Sequence, residues 1–142
     1  METEELIDQD RQFIGDTSTA VFTRDRILTG QCRMLEPVQH ARLKEAIAAH
    51  FGIHSSAVVV VGSAKLGYSV SPHKTFKPFD DRSDIDVAVV DARLFERYWH
   101  EMYEAKQSLI EWPELPAARK YLFRGWIRPV RTASSGTQSR RS

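Results

Sequence analysis

A chain of 142 residues is long enough for one domain with a hydrophobic core and too short for two ordinary domains. Its 27% charged and 42% hydrophobic residues are typical of a soluble globular protein, and a formal net charge of +1 excludes a global attraction to nucleic acid or membrane surfaces. Electrostatic arguments about function must therefore be local. The single cysteine, Cys32, cannot form an intramolecular disulfide, which favours a reducing compartment.

The N-terminal sequence METEELIDQD is acidic and lacks the apolar core of a signal peptide. No apolar stretch approaches the length of a membrane span, so the expected location is the cytoplasm and no membrane partner is expected. Residues 1–35 carry only weak apolar patterning. We expect them to form an N-terminal helical extension.

The first clear secondary-structure signal is a helix over residues 37–51. Pro37 suits the first turn of a helix, where its missing N–H is not needed. Apolar residues then recur at near-helical spacing, and Gly52 is a typical C-terminal stop.

Two apolar runs then predict two strands, over residues 57–61 and 84–90. The second run carries two carboxylates, Asp84 and Asp86. Since side chains alternate along a strand, these two would share one face, about 7 Å apart at their Cα atoms. Two oxygen ligands at that spacing can hold Mg²⁺, which typically binds through one or two carboxylates together with substrate phosphates.

The residues after the first strand favour an anion site. Gly62 lets the backbone turn sharply and approach a ligand closely. Backbone N–H groups at the start of a following helix attract phosphate, and the hydroxyl of Ser63 lies within reach of a phosphate oxygen. Lys65 adds a positive charge one turn further on. These residues and the carboxylates together predict a site for a metal-bound triphosphate.

The rest of the chain completes a small α/β or α+β domain over residues 36–130. An amphipathic helix is predicted after Asp91, and a shorter one begins near Pro116. Residues 131–142 contain no apolar side chain larger than alanine, so a disordered tail is expected there.

The Gly-Ser pair after a strand, followed by Ser-Asp-Ile-Asp-Val on the next strand, resembles the nucleotidyltransferase superfamily related to DNA polymerase beta. That superfamily includes the minimal nucleotidyltransferases of bacteria and the cyclic-nucleotide synthases of antiphage defence. The resemblance implies a small mixed sheet flanked by helices. It also implies that Gly62 and Ser63 bind phosphate and that Asp84 and Asp86 bind Mg²⁺ or Mn²⁺.

The activity implied by this resemblance is transfer of a nucleoside monophosphate from an NTP, with ATP expected, to a hydroxyl acceptor, with release of pyrophosphate. The acceptor is left open, and nothing indicates that it is a nucleic acid. Most active members carry a third carboxylate on a later strand, and no acidic residue lies inside a later apolar strand of this chain. The alternative is therefore a catalytically inactive or truncated member, acting as a nucleotide-binding or protein-interaction module.

Overall fold

The computed structural model describes residues 3–108, 115–122 and 124–127. The chain divides into two compact units between Asp91 and Ala92. The first unit contains, in chain order, α1 (Thr3–Asp16), α2 (Thr19–Phe22), a π-helical turn (Thr23–Leu28), α3 (Pro37–Phe51), a 3-10 turn (Ser55–Ala57), β1 (Val58–Val61), α4 (Gly62–Leu66) and β2 (Asp86–Val89). The second unit contains α5 (Ala92–Gln107) and α6 (Leu115–Leu122).

The N-terminal helices pack into the core of the first unit. Ile7 of α1 and Phe22 of α2 form one buried cluster with Leu66 and Tyr68, which lie more than forty residues later in the chain. Phe13, Ile27 and Phe76 pack against this cluster from its edges. The residues predicted as an extension therefore share their core with the end of α4.

Helix α3 has the predicted bounds. Pro37 is its first residue, and Gly52 follows its last residue in the left-handed conformation, with φ of 66°. At its start, the side chain of Gln39 accepts a hydrogen bond from the backbone N–H of Glu36, which satisfies one N–H that has no partner within the helix. The local signals at both ends of this helix are confirmed.

Strands β1 and β2 form a two-stranded antiparallel sheet, with Val58 opposite Val89 and Val61 opposite Asp86. The α+β class is thus confirmed, whereas the described residues contain an antiparallel pair rather than a mixed sheet. The second strand is shorter than predicted, because it begins at Asp86 and leaves Asp84 in the preceding loop. An isolated strand pair is marginally stable in water, and here β1 also contacts α3 and α4.

The long connection between α4 and β2 folds back on itself. Tyr68 and Pro78 form an isolated antiparallel bridge, and the N–H of Ser69 donates to the carbonyl of Lys77 at 2.8 Å. The N–H of Phe79 donates to the carbonyl of Gly67 at 2.9 Å. These bonds return the chain from the end of α4 towards the start of β2.

The second unit confirms the two helices predicted after Asp91. On α5, the rings of Trp99 and Tyr103 stack with centroids 5.9 Å apart and are partly exposed.

No helix within the described residues is long and apolar enough to cross a membrane. The predicted tail over residues 131–142 lies outside the described residues.

Candidate functional site

The antiparallel register places the end of β1 beside the start of β2. Val61, the last residue of β1, lies directly opposite Asp86, the first residue of β2. Gly62 and Ser63 follow Val61 at once and form the beginning of α4. The Gly-Ser pair and the second carboxylate of the motif are therefore neighbours in space, although twenty-two residues separate Ser63 from Asp86 in the sequence.

Gly62 touches the side chain of Asp86. Its φ is +66°, a left-handed conformation that residues with a Cβ rarely adopt. A Cβ at this position would lie 2.9 Å from Oδ2 of Asp86, which is closer than non-bonded atoms approach. The glycine thus serves both the turn from β1 into α4 and the close approach of the backbone to the carboxylate.

The carboxylates of Asp84 and Asp86 are exposed, and neither makes a hydrogen bond or ion pair with any residue that the structure describes. Asp80, in the same connection, differs from both. It pairs with Lys77 at 2.9 Å and accepts a hydrogen bond from the hydroxyl of Ser83 at 3.0 Å. The hydrogen bond from Lys77 makes the largest contribution to lowering the pKa of Asp80. Asp80 therefore stabilises its own turn, whereas the two motif carboxylates have no such partner among the described residues.

Only one of the two motif carboxylates has its position fixed by the sheet. Asp86 is paired in β2, while Asp84 lies two residues before the strand begins. The expectation that both side chains share one face of a strand is therefore wrong for Asp84, since strand alternation does not extend to a residue in the loop. A single residue, Ile85, separates Asp84 from Asp86 in the chain.

Ser63 is half-buried in the first turn of α4, and its hydroxyl has no hydrogen-bond partner among the described residues. Its carbonyl accepts the N–H of Gly67 at 2.8 Å, which closes the short helix. The hydroxyl of Ser63, next to Gly62, is thus available to hydrogen-bond a ligand. The structure brings together Gly62, Ser63 and Asp86, with Asp84 two residues away along the chain.

Lys65 does not join this group. It is only 4% exposed, and its ammonium donates a hydrogen bond to the carbonyl of Gly30. Burial lowers the pKa of Lys65, because removal from water disfavours the charged form. The expected role in neutralising a triphosphate does not fit this placement: the ammonium holds the chain around Gly30 against α4 instead.

A buried polar cluster that the sequence does not predict lies beside the end of α4, where Arg33 donates to the carbonyl of Leu66. Asp10 of α1 is 0% exposed and accepts hydrogen bonds from Arg26 Nε at 2.8 Å, Arg33 Nη1 at 2.6 Å and the Tyr68 hydroxyl at 2.9 Å. Sequence separations of 16, 23 and 58 residues leave no local pattern by which to find it. An aspartate at an apolar position of an amphipathic helix was the one available signal.

The donor set around Asp86 fits a hard divalent cation with few protein ligands. No group of three or more His, Cys, Asp or Glu side chains suited to a metal occurs among the described residues. Mg²⁺ tolerates such a set, since it keeps several waters and is often bound by one or two carboxylates together with phosphate oxygens. Asp86 beside the Gly62 turn and Asp84, two residues earlier in the chain, would supply at most two such carboxylates.

Comparisons of this chain with protein-family models, curated proteins and solved structures return no match. The resemblance to nucleotidyltransferases therefore rests on the sequence motif alone.

Proposed function

We propose that this protein is a metal-dependent nucleotidyltransferase that moves a nucleoside monophosphate from an NTP to a hydroxyl acceptor. The observation that carries the proposal is the contact between Gly62 and Asp86. It unites the two halves of the motif, the glycine turn after the first strand and the carboxylate that begins the second. A turn that served chain reversal alone would not need its backbone against an unpaired, exposed carboxylate.

In this proposal Asp84 and Asp86 hold Mg²⁺ or Mn²⁺ through their carboxylates, and the Gly62 backbone and Ser63 hydroxyl contact phosphate oxygens. When bound, the cation supplies charge neutralisation at the phosphates and activation of the attacking oxygen. The chain itself contributes positioning, which is the main requirement of phosphoryl-type transfer. ATP is the nucleotide we propose, and the acceptor hydroxyl is left unassigned.

A nucleotide-binding module without transferase activity is the second candidate. The observation that favours it is that no group of three or more His, Cys, Asp or Glu side chains suited to a metal occurs within the described residues. Such a module would still bind Mg²⁺·ATP at this site. The two candidates therefore differ in pyrophosphate release and agree on nucleotide binding.

The test compares wild type with Asp86→Asn, and uses Asp81→Asn as the matched control. Asp81 is exposed in the loop before the motif, so its replacement removes the same charge from the same region without touching Gly62. Saturation at about 100 times Kd adds about 2.7 kcal/mol of stability by linkage, so Mg²⁺·ATP should raise the Tm of wild type and of Asp81→Asn. Asp86→Asn should lose most of this increase.

Pyrophosphate release then decides between the candidates. A transferase releases pyrophosphate with wild type and Asp81→Asn, while Asp86→Asn falls by orders of magnitude. Nucleotide-dependent stabilisation without pyrophosphate, whatever hydroxyl compound is offered, assigns the binding module. If Mg²⁺·ATP leaves the Tm of wild type unchanged, both candidates are rejected.

A further inference from the structure

The five residues of α4 are held in place from one side by residues 30–34, which we call the flanking segment. The N–H of Arg33 donates to the carbonyl of Lys65 at 3.1 Å, and the N–H of Met34 donates to the carbonyl of Ala64 at 3.2 Å. The ammonium of Lys65 returns a bond to the carbonyl of Gly30. The flanking segment is thus joined to α4 by backbone hydrogen bonds and by the side chain of Lys65.

Arg33 also joins α4 to helix α1. Its Nη1 atom donates to Oδ2 of Asp10 at 2.6 Å and to the carbonyl of Leu66 at 3.0 Å, and Nη2 donates to Oδ1 of Asp10 at 3.3 Å. Leu66 is the last residue of α4. One guanidinium therefore connects a fully buried carboxylate of α1 with the C-terminal end of the helix that begins at Gly62.

A helix this short cannot keep its own position. Formation of one helical turn fixes several dihedral angles for few hydrogen bonds, so a five-residue helix depends on tertiary contacts. Gly62 and Ser63 are its first two residues, and its other end is held by Arg33. Since the sheet pairs Val61 with Asp86, a shift of α4 would change the turn at Gly62 and Ser63 by which the helix leaves the sheet.

We propose that Arg33 is a positioning residue for the Gly62–Ser63 turn, and that α1 controls the geometry of the candidate site through Asp10. The effect of Arg33 on ligand binding rests on the proposed function, in which the Gly62–Ser63 turn binds phosphate. The positioning itself is a property of the fold. It can be measured without any nucleotide.

Arg26 provides the matched control. It donates to the same carboxylate, at 2.8 Å from Asp10 Oδ1, and its side chain is similarly half-buried, 32% exposed against 21% for Arg33. Unlike Arg33, it makes no hydrogen bond to α4. Arg26→Gln and Arg33→Gln therefore each remove one charged donor from Asp10, and only Arg33→Gln also releases the end of α4.

The first measurement is amide hydrogen exchange of the folded variants. The N–H of Gly67 reports the closure of α4, and the N–H of Met34 reports the contact with the flanking segment. Relative to Arg26→Gln at matched global stability, Arg33→Gln should speed exchange at both amides by about tenfold. In this variant α4 can open locally without breaking a contact to Arg33, so the free energy of local opening is lower. If Arg33→Gln does not fold, Arg33→Lys replaces it, since one ammonium cannot reproduce the fork between Asp10 and Leu66.

The second measurement is the Kd for Mg²⁺·ATP. Arg33→Gln or Arg33→Lys should weaken binding by about tenfold, since a small misplacement of a positioned group is costly, while Arg26→Gln should bind as wild type does. Equal exchange at Gly67 and Met34 in the Arg26 and Arg33 variants would overturn the inference. So would an unchanged Kd in the Arg33 variants.

The two proposals fail differently. If wild type binds no Mg²⁺·ATP, the proposed function is rejected, and amide exchange still decides whether Arg33 positions α4. If wild type binds and both arginine variants bind equally well, the proposed function stands and the positioning role is rejected.

Discussion

Gly62 and Gly52 have the same φ and different surroundings. Both have φ of +66°. A Cβ at position 52 would meet nothing within 4 Å, whereas one at position 62 would meet Oδ2 of Asp86 at 2.9 Å. Comparison of the two positions therefore separates the cost of the left-handed backbone from the cost of crowding Asp86.

Gly52→Ala should lower the free energy of unfolding by about 1 kcal/mol, the usual cost of a left-handed residue that carries a Cβ. Gly62→Ala should cost about 1 kcal/mol more, because the Asp86 carboxylate must leave its preferred rotamer. Urea unfolding measures both losses. When Asp86 is also replaced by alanine, the additional loss of stability caused by Gly62→Ala should disappear. If it persists, the added Cβ is not crowding the Asp86 carboxylate.

Asp10 is an ionised group that the fold keeps fully buried. Burial acts to raise the pKa of Asp10, but the hydrogen bonds from Arg33 and Tyr68, with the charges around them, outweigh burial and lower it below its ordinary value of 3.8. A carboxyl whose pKa is lowered on folding stabilises the folded state above its unfolded pKa. That contribution is lost as the pH falls through the lower, folded pKa.

Asp10→Asn should therefore lower the free energy of unfolding at neutral pH by about 3 kcal/mol, because it leaves the half-buried guanidinium groups of Arg26 and Arg33 without their buried carboxylate. The stability of the variant should also fall less steeply than that of wild type as the pH drops below 3.8. Urea midpoints across this pH range measure both effects.

Asp8→Asn, on the exposed face of the same helix, is the control and should stay within about 0.5 kcal/mol of wild type. Parallel acid profiles for wild type and Asp10→Asn would refute the assignment of Asp10 as an ionised, stabilising group.

At the scale of elements, β1 and β2 are buried unequally. Val60 of β1 and Val87 of β2 lie directly opposite one another and so point to the same face of the sheet. Val60 is 1% exposed and Val87 is 38% exposed. The elements that contact β1 therefore cover Val60 and leave Val87 partly open on the same face; Asp86, on the opposite face of the sheet, is also exposed.

Val60→Ala should cost about 2 kcal/mol, because it removes two buried methyl groups and leaves a cavity. Val87→Ala should cost less than about 1 kcal/mol, since its side chain is already partly in water. The two variants form a matched pair of one residue type on one sheet face, compared by chemical denaturation. Equal losses would mean that Val87 is covered in solution.

At the scale of the whole molecule, the N-terminal helices are part of the main core. Ile7 and Phe22 contact the same buried cluster as Leu66 and Tyr68. The first unit therefore includes α1 and α2, and its core cannot be completed by residues 36–91 alone.

Deletion of residues 1–35 should abolish cooperative thermal unfolding, because it exposes Leu66 and Tyr68 and removes both Asp10 and Arg33, which hydrogen-bond to these two residues. Deletion of residues 131–142 should leave the Tm unchanged, since that sequence offers no large apolar side chain to bury. Circular dichroism melting curves of the two truncated chains are the measurement. A cooperative melt without residues 1–35 would restore the interpretation of that region as an extension.

The sequence by itself determined the features that depend on neighbouring residues. Pro37 and Gly52 mark the ends of α3 because each acts on the backbone of its own turn. The valine run before Gly62 predicted β1, and the glycine predicted the turn that follows. The pairing of the Gly-Ser turn with Asp86 was also within reach, through the resemblance of the motif.

Only the tertiary structure decided where Lys65 and Asp10 point and what they bind. The partners of Lys65 and Asp10 lie between 16 and 58 residues away, so no local periodicity encodes them. The fate of a charged side chain depends on whether distant donors or carbonyls converge on it, since burial without such partners is too costly. In the folded chain, Lys65 therefore binds the carbonyl of Gly30 rather than the candidate site. The buried cluster around Asp10 likewise forms from residues whose sequence pattern does not predict it.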